Sequence, residues 1–407
     1  MLEVMLHGSH VGRLVREEGS SIVAFILDEE YLRDEGRDVL GQQFEDRRHH
    51  RMFRQAAHPG QLPHFFANLL PEGALRDIVA AQSTGSDDLA VLAMLGEDLP
   101  GAVMMRASSP ETAASDTRGS VFDEPSADSE EPPSDTLRFS LAGVQLKFSA
   151  VREEGNRFAL PFSGRGGRWI LKFGSTQYPL LPENEFWTMR WASLGGLNVP
   201  HHELVPAASI RNLDSRFLEL GENVFAIERY DRSPDGSRVH QEDFAQVRGV
   251  LPSHKYRRAS YEGLGRLVGA LCGRDDMIEF MRRVVFTILS GNGDAHLKNW
   301  ALVYPDRRTA RLSPTYDLVF VRCYLPADKL AFPLAKEQDP QRIGWDHLAR
   351  IEGYFQERGL DIPLVATSRE FVSRCLDVWQ QCRMDVGETY RTKLEAHLAT
   401  LPLVRSR

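Results

Sequence analysis

A buried helix that stops at a glycine-rich turn constrains the fold of this chain more than any other feature. The apolar run 284–289 predicts the last turns of such a helix, and the sequence Ser-Gly-Asn-Gly follows at 290–293. Glycine and asparagine tolerate turn geometries that other residues avoid, so the helix is expected to end there. Asp294, the next residue, is therefore predicted to lie on a loop held by a rigid element.

The polar residues after this turn have the spacing of a phosphate-transfer site. Asn299 follows Asp294 by five positions, as in a protein-kinase catalytic loop, where the aspartate meets the substrate hydroxyl and the asparagine holds a metal ion. Taken alone, the motif is also compatible with a solvated turn. Asp317, 18 positions beyond Asn299, supplies the second carboxylate that a kinase needs to hold Mg²⁺ against the phosphates. The intervening segment 300–312 predicts a short hairpin that would bring both aspartates to one end of a small sheet.

A lysine inside an apolar strand points to the same chemistry. Lys172 lies in an apolar strand predicted within 166–173, where an ammonium group is costly unless it is paired. Kinases place a lysine there to reach the ATP phosphates and pair it with a glutamate on the next helix. That helix is expected to begin after Pro182, and Glu185 is the predicted partner, because Glu183 fits the first turn near the positive end of the helix dipole. The alternative is a lysine that only snorkels from a strand edge.

Two further segments are candidates for contact with a nucleotide. Residues 137–149 predict two strands joined by a tight turn at Ala142 and Gly143, and such a turn can direct backbone N–H groups at phosphate oxygens. A purely structural hairpin fits the same pattern. The apolar strand within 224–232 turns polar at its end, where Glu228 and Tyr230 are candidates for contact with adenine, or else belong to a solvated strand end.

The composition argues against several other classes of protein. The net charge of −8 argues against a broad nucleic-acid-binding surface. The four cysteines have no Cys-x-x-Cys spacing, so no disulfide or zinc framework is expected and a reducing compartment fits. No apolar run reaches the roughly 18 residues of a membrane-spanning helix, and no secretory signal is recognisable at the N-terminus. We therefore expect a cytoplasmic protein with no membrane association.

The pattern along the chain predicts four regions. Residues 1–106 predict a small antiparallel sheet followed by helices over 74–82 and 87–95. The segment 107–136 is acidic and rich in Ser and Pro, cannot bury enough apolar surface to offset its ordering entropy, and is expected to be a disordered linker. Strands dominate 137–232. Helices dominate 233–407, with apolar periodicity over 241–247, 261–271, 276–289, 345–358, 368–381 and 390–400.

Taken together, these motifs resemble the HipA family of bacterial Ser/Thr kinase toxins. The resemblance runs through almost the whole chain, in the order in which the family carries its motifs. It rests on the N-terminal sheet and on the segments 65–73, 96–102, 140–147, 171–173, 228–232, 240–244, 291–299 and 316–317. The acidic segment 107–136 is long for the family and has no assigned role.

The resemblance implies an α+β architecture: a two-lobed protein-kinase-like fold with an added N-terminal β-rich subdomain and a mainly α-helical C-terminal lobe. The implied domains are an N-terminal subdomain at 1–106, the linker at 107–136, a kinase N-lobe with the phosphate-binding loop and the ATP lysine at 137–232, and a helical C-lobe with the catalytic loop at 233–407.

The resemblance also implies roles for single residues. Asp294 matches the catalytic base of the family, Asn299 and Asp317 match its metal ligands, and Ser140 matches the serine that the family autophosphorylates to switch itself off. The residues that match its ATP contacts are Ala142, Gly143, Val144, Gln145, Leu146, Lys147, Lys172, Glu228, Arg229, Tyr230, His296, Leu297, Lys298, Asn299, Tyr316 and Asp317.

The implied activity is that of an ATP- and Mg²⁺-dependent protein Ser/Thr kinase, the toxin of a toxin–antitoxin pair that halts translation and growth and so leads to persistence. The implied target is an aminoacyl-tRNA synthetase, with the glutamyl enzyme as first candidate. The implied partner is a HipB-like helix-turn-helix antitoxin, through which operator DNA is mainly bound. Two alternatives stay open: a small-molecule kinase of the aminoglycoside or choline type, and a non-catalytic co-repressor scaffold.

Overall fold

The computed structural model describes residues 1–17, 19–45, 54–58, 60–72, 76, 87–107, 146–153, 157–160, 167–257 and 259–405. Several predictions from the sequence fall outside these residues. They concern Ser140, the phosphate-binding loop at Ala142, Gly143, Val144 and Gln145, the segment 108–136 and most of the helix expected over 74–82.

An antiparallel sheet with the strand order β4-β3-β2-β1-β5 forms the N-terminal unit. Its strands are β1 (Leu2–Leu6), β2 (Ser9–Arg16), β3 (Val23–Leu27), β4 (Arg54–Ala56) and β5 (Val103–Ala107). The helices described in this unit are α1 (Glu29–Arg33), α2 (His64–Ala67) and α3 (Asp88–Leu95). Helix α3 begins where the sequence predicts it, because the side chain of Asp87 accepts the backbone N–H of Ala90 at 2.8 Å and so caps the helix.

The second sheet has the order β7-β6-β8-β10-β9, and one long helix lies between two of its strands in the sequence. Its strands are β6 (Lys147–Glu153), β7 (Arg157–Ala159), β8 (Trp169–Lys172), β9 (His202–Pro206) and β10 (Asn223–Glu228), and the helix between β8 and β9 is α4 (Leu181–Leu194). Helix α4 includes Pro182 in its first turn, where the missing N–H costs no hydrogen bond, so it begins slightly earlier than predicted. The antiparallel register of β6 and β8 places Lys147 directly opposite Lys172.

The third sheet has the order β11-β12-β13, with β11 (His240–Asp243), β12 (Ala301–Tyr304) and β13 (Arg311–Leu312). Strands β12 and β13 form the hairpin predicted between Asp294 and Asp317. The prediction of a helix over 241–247 is wrong in its first half. Residues 241–243 pair with β12, and α5 (Phe244–Val247) begins only after Asp243, which forms a capping box with Gln246.

The C-terminal part is mainly helical, as predicted. Its helices are α6 (Tyr261–Cys272), α7 (Arg274–Leu289), α8 (Trp345–Gln356), α9 (Leu364–Cys382), α10 (Glu388–Thr400) and α11 (Pro402–Arg405). Within the described ranges, no helix is both long and apolar enough to cross a membrane.

Among the described residues, the buried apolar side chains form two clusters. One cluster joins the C-terminal helices to α4, where the indole N–H of Trp191 donates to the carbonyl of Cys375 on α9 at 2.8 Å. The other cluster includes both Phe25 of the first sheet and Phe148 and Leu171 of the second. The N-terminal unit and the second sheet therefore share one hydrophobic core.

Candidate active site

A cleft of about 960 Å³ lies between the second sheet, the segment after α7 and the N-terminal unit. This volume is at the upper end of the range for small-molecule sites. Most of the described residues that the sequence singles out line it, namely Leu146, Lys147, Lys172, Glu185, Glu228, Arg229, Tyr230, Asp294, His296, Lys298, Asn299, Tyr316 and Asp317. Leu297 does not line the cleft. Its side chain belongs to the hydrophobic core, because the loop backbone turns it inward.

The loop that carries Asp294 is fixed by hydrogen bonds of one asparagine. Helix α7 ends at Leu289, and the backbone N–H of Asn292 donates to the carbonyl of Thr287 at 3.0 Å. The side-chain oxygen of Asn292 accepts the N–H of Asp294 at 3.1 Å, and its amide nitrogen donates to the carbonyl of Asp317 at 3.4 Å. Asn292 therefore ties the two aspartate-bearing segments together.

Asp294 stands at the open side of the cleft. The residue is exposed, yet the surrounding walls withdraw water from its carboxyl group, and this desolvation raises its pKa above the ordinary value. The hydroxyl of Tyr256 donates a hydrogen bond to Asp294 Oδ1, and the side-chain amide of Asn299 donates to the backbone carbonyl of Asp294 at 3.0 Å. A raised pKa suits a carboxylate that receives a proton from an alcohol.

Asp317 is held by two lysines. Lys172 Nζ forms an ion pair with Asp317 Oδ1 and lies 2.5 Å from Oε1 of Glu185, while Lys147 Nζ lies 3.4 Å from Asp317 Oδ2. Burial alone would raise the pKa of Asp317, but the two ammonium groups outweigh it and hold that pKa well below the ordinary value. Burial alone would lower the pKa of Lys172, but Asp317 and Glu185 outweigh it and raise that pKa. Asp317 is therefore an anion and Lys172 a cation at neutral pH.

The other end of the cleft is aromatic. The rings of Tyr230 and Tyr316 lie 5.7 Å apart, and the hydroxyl of Tyr230 donates to Gln241. The hydroxyl of Tyr316 donates to the carbonyl of Lys298 at 2.9 Å, which connects this end to residues 291–299, called here the catalytic-loop segment after the sequence prediction. Glu228, at the end of β10, pairs with Arg168. This surface offers flat π faces of the kind on which a purine packs.

The side chain of Arg229 is committed to a buried ionic network. Its guanidinium donates to Asp231 at 2.8 and 2.9 Å and to Asp98 of the N-terminal unit at 3.0 Å, and it is 1% exposed. Arg232 donates to the same two carboxylates. The guanidinium of Arg229 therefore joins the N-terminal unit to the end of β10, and its backbone is the part that remains for a nucleotide.

The N-terminal unit also enters the cleft, and the sequence patterns did not indicate this. Glu72 Oε2 accepts from Lys255 Nζ at 2.6 Å, and Glu72 Oε1 lies 2.8 Å from Nζ of Lys298 in the catalytic-loop segment. Burial alone would raise the pKa of Glu72, but the two lysines outweigh it and lower the pKa to about 2. Glu72 lies in the segment 65–73 that carries part of the resemblance, but no role was assigned to it, because a single carboxylate after an apolar segment has no distinctive spacing.

His296 lies beside the candidate base with one ring nitrogen available. Its ring meets that of Tyr256 edge-on at 5.0 Å, and desolvation, reinforced by Lys255, lowers its pKa to about 3, so the imidazole is neutral. Within the described part of the chain, Nδ1 of His296 is buried without a hydrogen-bond partner. A buried polar atom of this kind is costly unless a ligand or water satisfies it.

The oxygen atoms at the cleft fit a hard divalent cation. The amide nitrogen of Asn299 is used as a donor, which leaves its amide oxygen as a ligand, and Asp317 supplies a carboxylate. Mg²⁺ usually binds one or two carboxylates together with substrate phosphates and waters. Among the described residues, no group of three or more His, Cys, Asp or Glu side chains forms a metal site by itself. The pair therefore suits a cation that is bound together with a nucleotide.

The cleft combines a strand lysine paired with a helix glutamate, a loop aspartate, and a second aspartate that follows a hairpin. Together with the sheets and helices around it, this arrangement defines a kinase-like, two-lobed α+β fold, here with an added N-terminal sheet. This confirms the fold class expected from the sequence. The chain belongs to the HipA family: residues 2–106 match the HipA N-terminal domain, and residues 139–383 match the HipA-like C-terminal domain.

Individual relatives agree with this membership. The chain is 39% identical over 414 residues to the putative kinase Y4dM of Sinorhizobium fredii, covering 100% of this chain and 98% of that protein. It is 28% identical over 317 residues to the serine/threonine-protein kinase toxin HipA of Shewanella oneidensis, covering 70% and 69% of the two chains. A solved structure of the Shewanella oneidensis HipA, HipB and operator DNA complex matches over 100% of both chains with a TM-score of 0.71 at 22% identity, which shows a shared fold.

Proposed function

We propose that this chain is an ATP- and Mg²⁺-dependent protein Ser/Thr kinase. The observation that carries the proposal is the ionic arrangement of Lys172, Glu185 and Asp317 in the same cleft as Asp294. A buried lysine shared by two carboxylates is costly to build for structure alone, because each charge must lose its water. The same arrangement is what phosphate transfer from ATP requires.

Catalysis of phosphate transfer is mainly positioning and neutralisation of charge. Lys172 and Lys147 lie opposite each other on neighbouring strands and line the cleft, so that both amino groups are available to the phosphate oxygens. Tyr230 and Tyr316 offer ring faces to the base. The acceptor oxygen bonds to the γ-phosphorus, the bond to ADP breaks, and Asp294 receives the acceptor proton. Mg²⁺, held by Asn299 and Asp317, would supply neutralisation of the phosphate charge.

Ser140 is proposed as an autophosphorylation site that switches the kinase off, on the strength of its match to the family. A phosphate there adds up to about two negative charges next to the loop proposed to embrace the ATP phosphates. Repulsion is expected to weaken nucleotide binding. Ser140→Glu should therefore bind ATP more weakly than Ser140→Ala in a calorimetric titration, and equal affinities would contradict this switch.

The proposed biological role is that of the toxin in a toxin–antitoxin pair. The supporting facts are the family membership, the relative named as a toxin, and the solved relative that contains HipB and operator DNA. The proposed partner is a HipB-like helix-turn-helix antitoxin, and the net charge of −8 fits a complex in which that partner supplies most of the affinity for DNA. The proposed substrate is an aminoacyl-tRNA synthetase, tested first with the glutamyl enzyme.

The first test is mass spectrometry of the intact and digested chain after incubation with Mg²⁺ and ATP. We expect a phosphate at Ser140 in the unchanged chain and none in Asp294→Ala. The matched control is Asp361→Ala, which removes an exposed aspartate that does not line the cleft and should leave the phosphate gain intact.

The other outcomes separate the alternatives. A chain that starts unphosphorylated, binds ATP and gains no phosphate would favour a small-molecule kinase. A chain that neither binds ATP nor gains phosphate would favour a co-repressor scaffold. Phosphate gain that persists in Asp294→Ala would overturn the assignment of Asp294 as the base.

A further inference from the structure

A tyrosine outside every motif of the sequence contacts the candidate catalytic base. Tyr256 lies in the short loop between the 3₁₀ turn Pro252–His254 and helix α6. Its hydroxyl donates a hydrogen bond to Asp294 Oδ1, although the residue is 48% exposed. A large, half-exposed side chain that reaches back to a carboxylate in a cleft is unusual, because an exposed hydroxyl can be satisfied by water without fixing the ring.

The loop of Tyr256 is built to keep this hydroxyl in place. The ring lies edge-on against His296 at 5.0 Å. The carbonyl of Lys255, the preceding residue, accepts the N–H of Leu297 at 3.1 Å, and its ammonium group pairs with Glu72 at 2.6 Å. The loop is thus attached to the catalytic-loop segment on one side and to the N-terminal unit on the other.

The hydroxyl of Tyr256 occupies a position from which an acceptor can donate to Asp294. A general base has to lie within hydrogen-bond reach of the proton that it receives, at about 2.6–3.2 Å. Asp294 is exposed and lines the cleft together with Tyr256, whose hydroxyl already donates to its Oδ1. A carboxylate can accept further hydrogen bonds, but an acceptor that donates to Oδ1 of Asp294 competes with the Tyr256 hydroxyl.

We propose that the hydroxyl of Tyr256 marks the acceptor subsite, and that the serine or threonine hydroxyl of a polypeptide binds there by displacing it. This inference rests on the proposed kinase function. Tyr256 is then a gate residue: while it is in place, its hydroxyl occupies Oδ1 of Asp294, and an acceptor or a water molecule must displace it to donate to that oxygen. A mobile polypeptide segment is the class of acceptor that fits, since its small hydroxyl can enter where the phenol leaves.

The gated reaction is an ordinary phosphate transfer. The acceptor oxygen forms a bond to the γ-phosphorus of ATP, the bond between that phosphorus and the ADP oxygen breaks, and the acceptor proton passes to Asp294. When water replaces the acceptor, the same steps give ADP and inorganic phosphate. Removal of the Tyr256 hydroxyl should therefore make it easier for an acceptor hydroxyl or a water molecule to bind at Asp294, which favours both reactions.

The test compares Tyr256→Phe with the unchanged chain. The acceptor is a ¹⁵N-labelled full-length copy that carries Asp294→Asn, so that phosphate on the acceptor is distinguished by mass from phosphate on the enzyme. The KM for this acceptor, the KM for ATP and the rate of ATP hydrolysis without acceptor are measured. Tyr354→Phe is the matched control, because Tyr354 lies on α8 and does not line the cleft.

We expect Tyr256→Phe to lower the acceptor KM and to raise ATP hydrolysis by about fivefold each, which corresponds to about 1 kcal/mol for one competing hydrogen bond. The KM for ATP should change by less than about twofold, since Tyr256 lies on the acceptor side. Tyr354→Phe should match the unchanged chain. A purely structural role for Tyr256 would not separate the two KM values.

An unchanged or higher acceptor KM in Tyr256→Phe would overturn the gate. Tyr256→Leu, which also removes the ring, provides a second variant and should lower the acceptor KM at least as far. Thermal unfolding of both variants shows that each is folded when assayed. If the unchanged chain shows no Asp294-dependent transfer to any acceptor, the kinase proposal itself fails. A working kinase whose acceptor KM does not change when Tyr256 is substituted would instead overturn only the gate.

Discussion

At the scale of single residues, the cleft depends on charges that compensate one another. Lys172 is buried between Glu185, 13 positions away in the sequence, and Asp317, 145 positions away. A buried ion pair contributes little net stability, but removal of one partner leaves an uncompensated charge. The arrangement is therefore expected to be retained for what Lys172 does rather than for stability.

Lys172→Met tests this residue directly. Loss of its charge should lower the rate of phosphate transfer by about a hundredfold or more, the size of effect seen when one electrostatic group of an active site is removed. It should also lower the free energy of unfolding by about 3 kcal/mol, because Glu185 stays fully buried without its cation, whereas Asp317 keeps Lys147. Phosphate-transfer assays and urea unfolding provide the measurements.

The control for that substitution is Lys329→Met, which removes an exposed lysine. It should leave both the transfer rate and the unfolding midpoint unchanged. Full activity in Lys172→Met would remove the main support for the kinase proposal.

Sequence reasoning reached the Lys172 and Glu185 pair because both lie in successive elements with clear periodicity. It did not reach Glu72 or Tyr256. The contact between Glu72 and Lys255 joins residues 183 positions apart, and neither lies at a spacing that a strand or a helix would mark. Such contacts depend on how the units dock, which local patterns do not encode.

Glu72 provides a second prediction at the residue scale. Glu72→Gln leaves Lys255 and Lys298 without their shared carboxylate, so the backbone that presents Asn299 should be less well fixed, and phosphate transfer should fall by about tenfold. Glu72→Asp keeps the charge and should lose less phosphate-transfer activity than Glu72→Gln. Glu219→Gln, at an exposed position, is the control. Equal phosphate-transfer rates in the three variants would contradict a positioning role for Glu72.

At the scale of elements, β11 shows where periodicity misleads. The apolar spacing over 241–247 favoured a helix, but the first residues pair with β12. Glu242 on β11 is fully buried, with its Oε1 accepting the backbone N–H of Gln42 at 2.9 Å and the hydroxyl of Tyr304. These contacts, one to the N-terminal unit and one to β12, compete with the local helical preference, and the sequence of the segment alone does not reveal them.

Burial of Glu242 gives a prediction about pH. Desolvation raises its pKa from 4.5 to about 8 in the folded chain. Between these two values the folded chain keeps a proton that the unfolded chain has lost, so this group's contribution to stability is full below about pH 4.5 and is lost as the pH rises towards 8. Glu242→Gln, which is neutral throughout, should lose less stability than the unchanged chain between about pH 5 and pH 8. Urea unfolding at the two pH values measures this difference, and parallel losses in both chains would contradict it.

At the scale of the whole molecule, the N-terminal unit is part of the catalytic body. It shares a hydrophobic core with the second sheet, it supplies Asp98 to the buried arginine network, and it supplies Glu72 to the cleft. The sequence indicated the order of the regions and the kinase-like fold. It did not indicate that the N-terminal unit docks on the second sheet and the cleft. The residues in these contacts are apolar or charged, and in the sequence of either region they look like ordinary core or surface residues.

The last prediction concerns this docking. When the chain is cut by a protease at a site introduced within 108–136, the two pieces should stay together in gel filtration and unfold in one transition, because the shared core that contains Phe25 and Phe148 does not depend on the linker. The fragment 137–407 produced alone should instead bind a hydrophobic dye and lack a cooperative transition, since it exposes that core and leaves Arg229 without Asp98. The intact chain with the uncut site is the control. A separate fragment that unfolds cooperatively and transfers phosphate as fast as the intact chain would show that the N-terminal unit is an addition to a self-sufficient kinase, and would also remove the basis for a positioning role of Glu72.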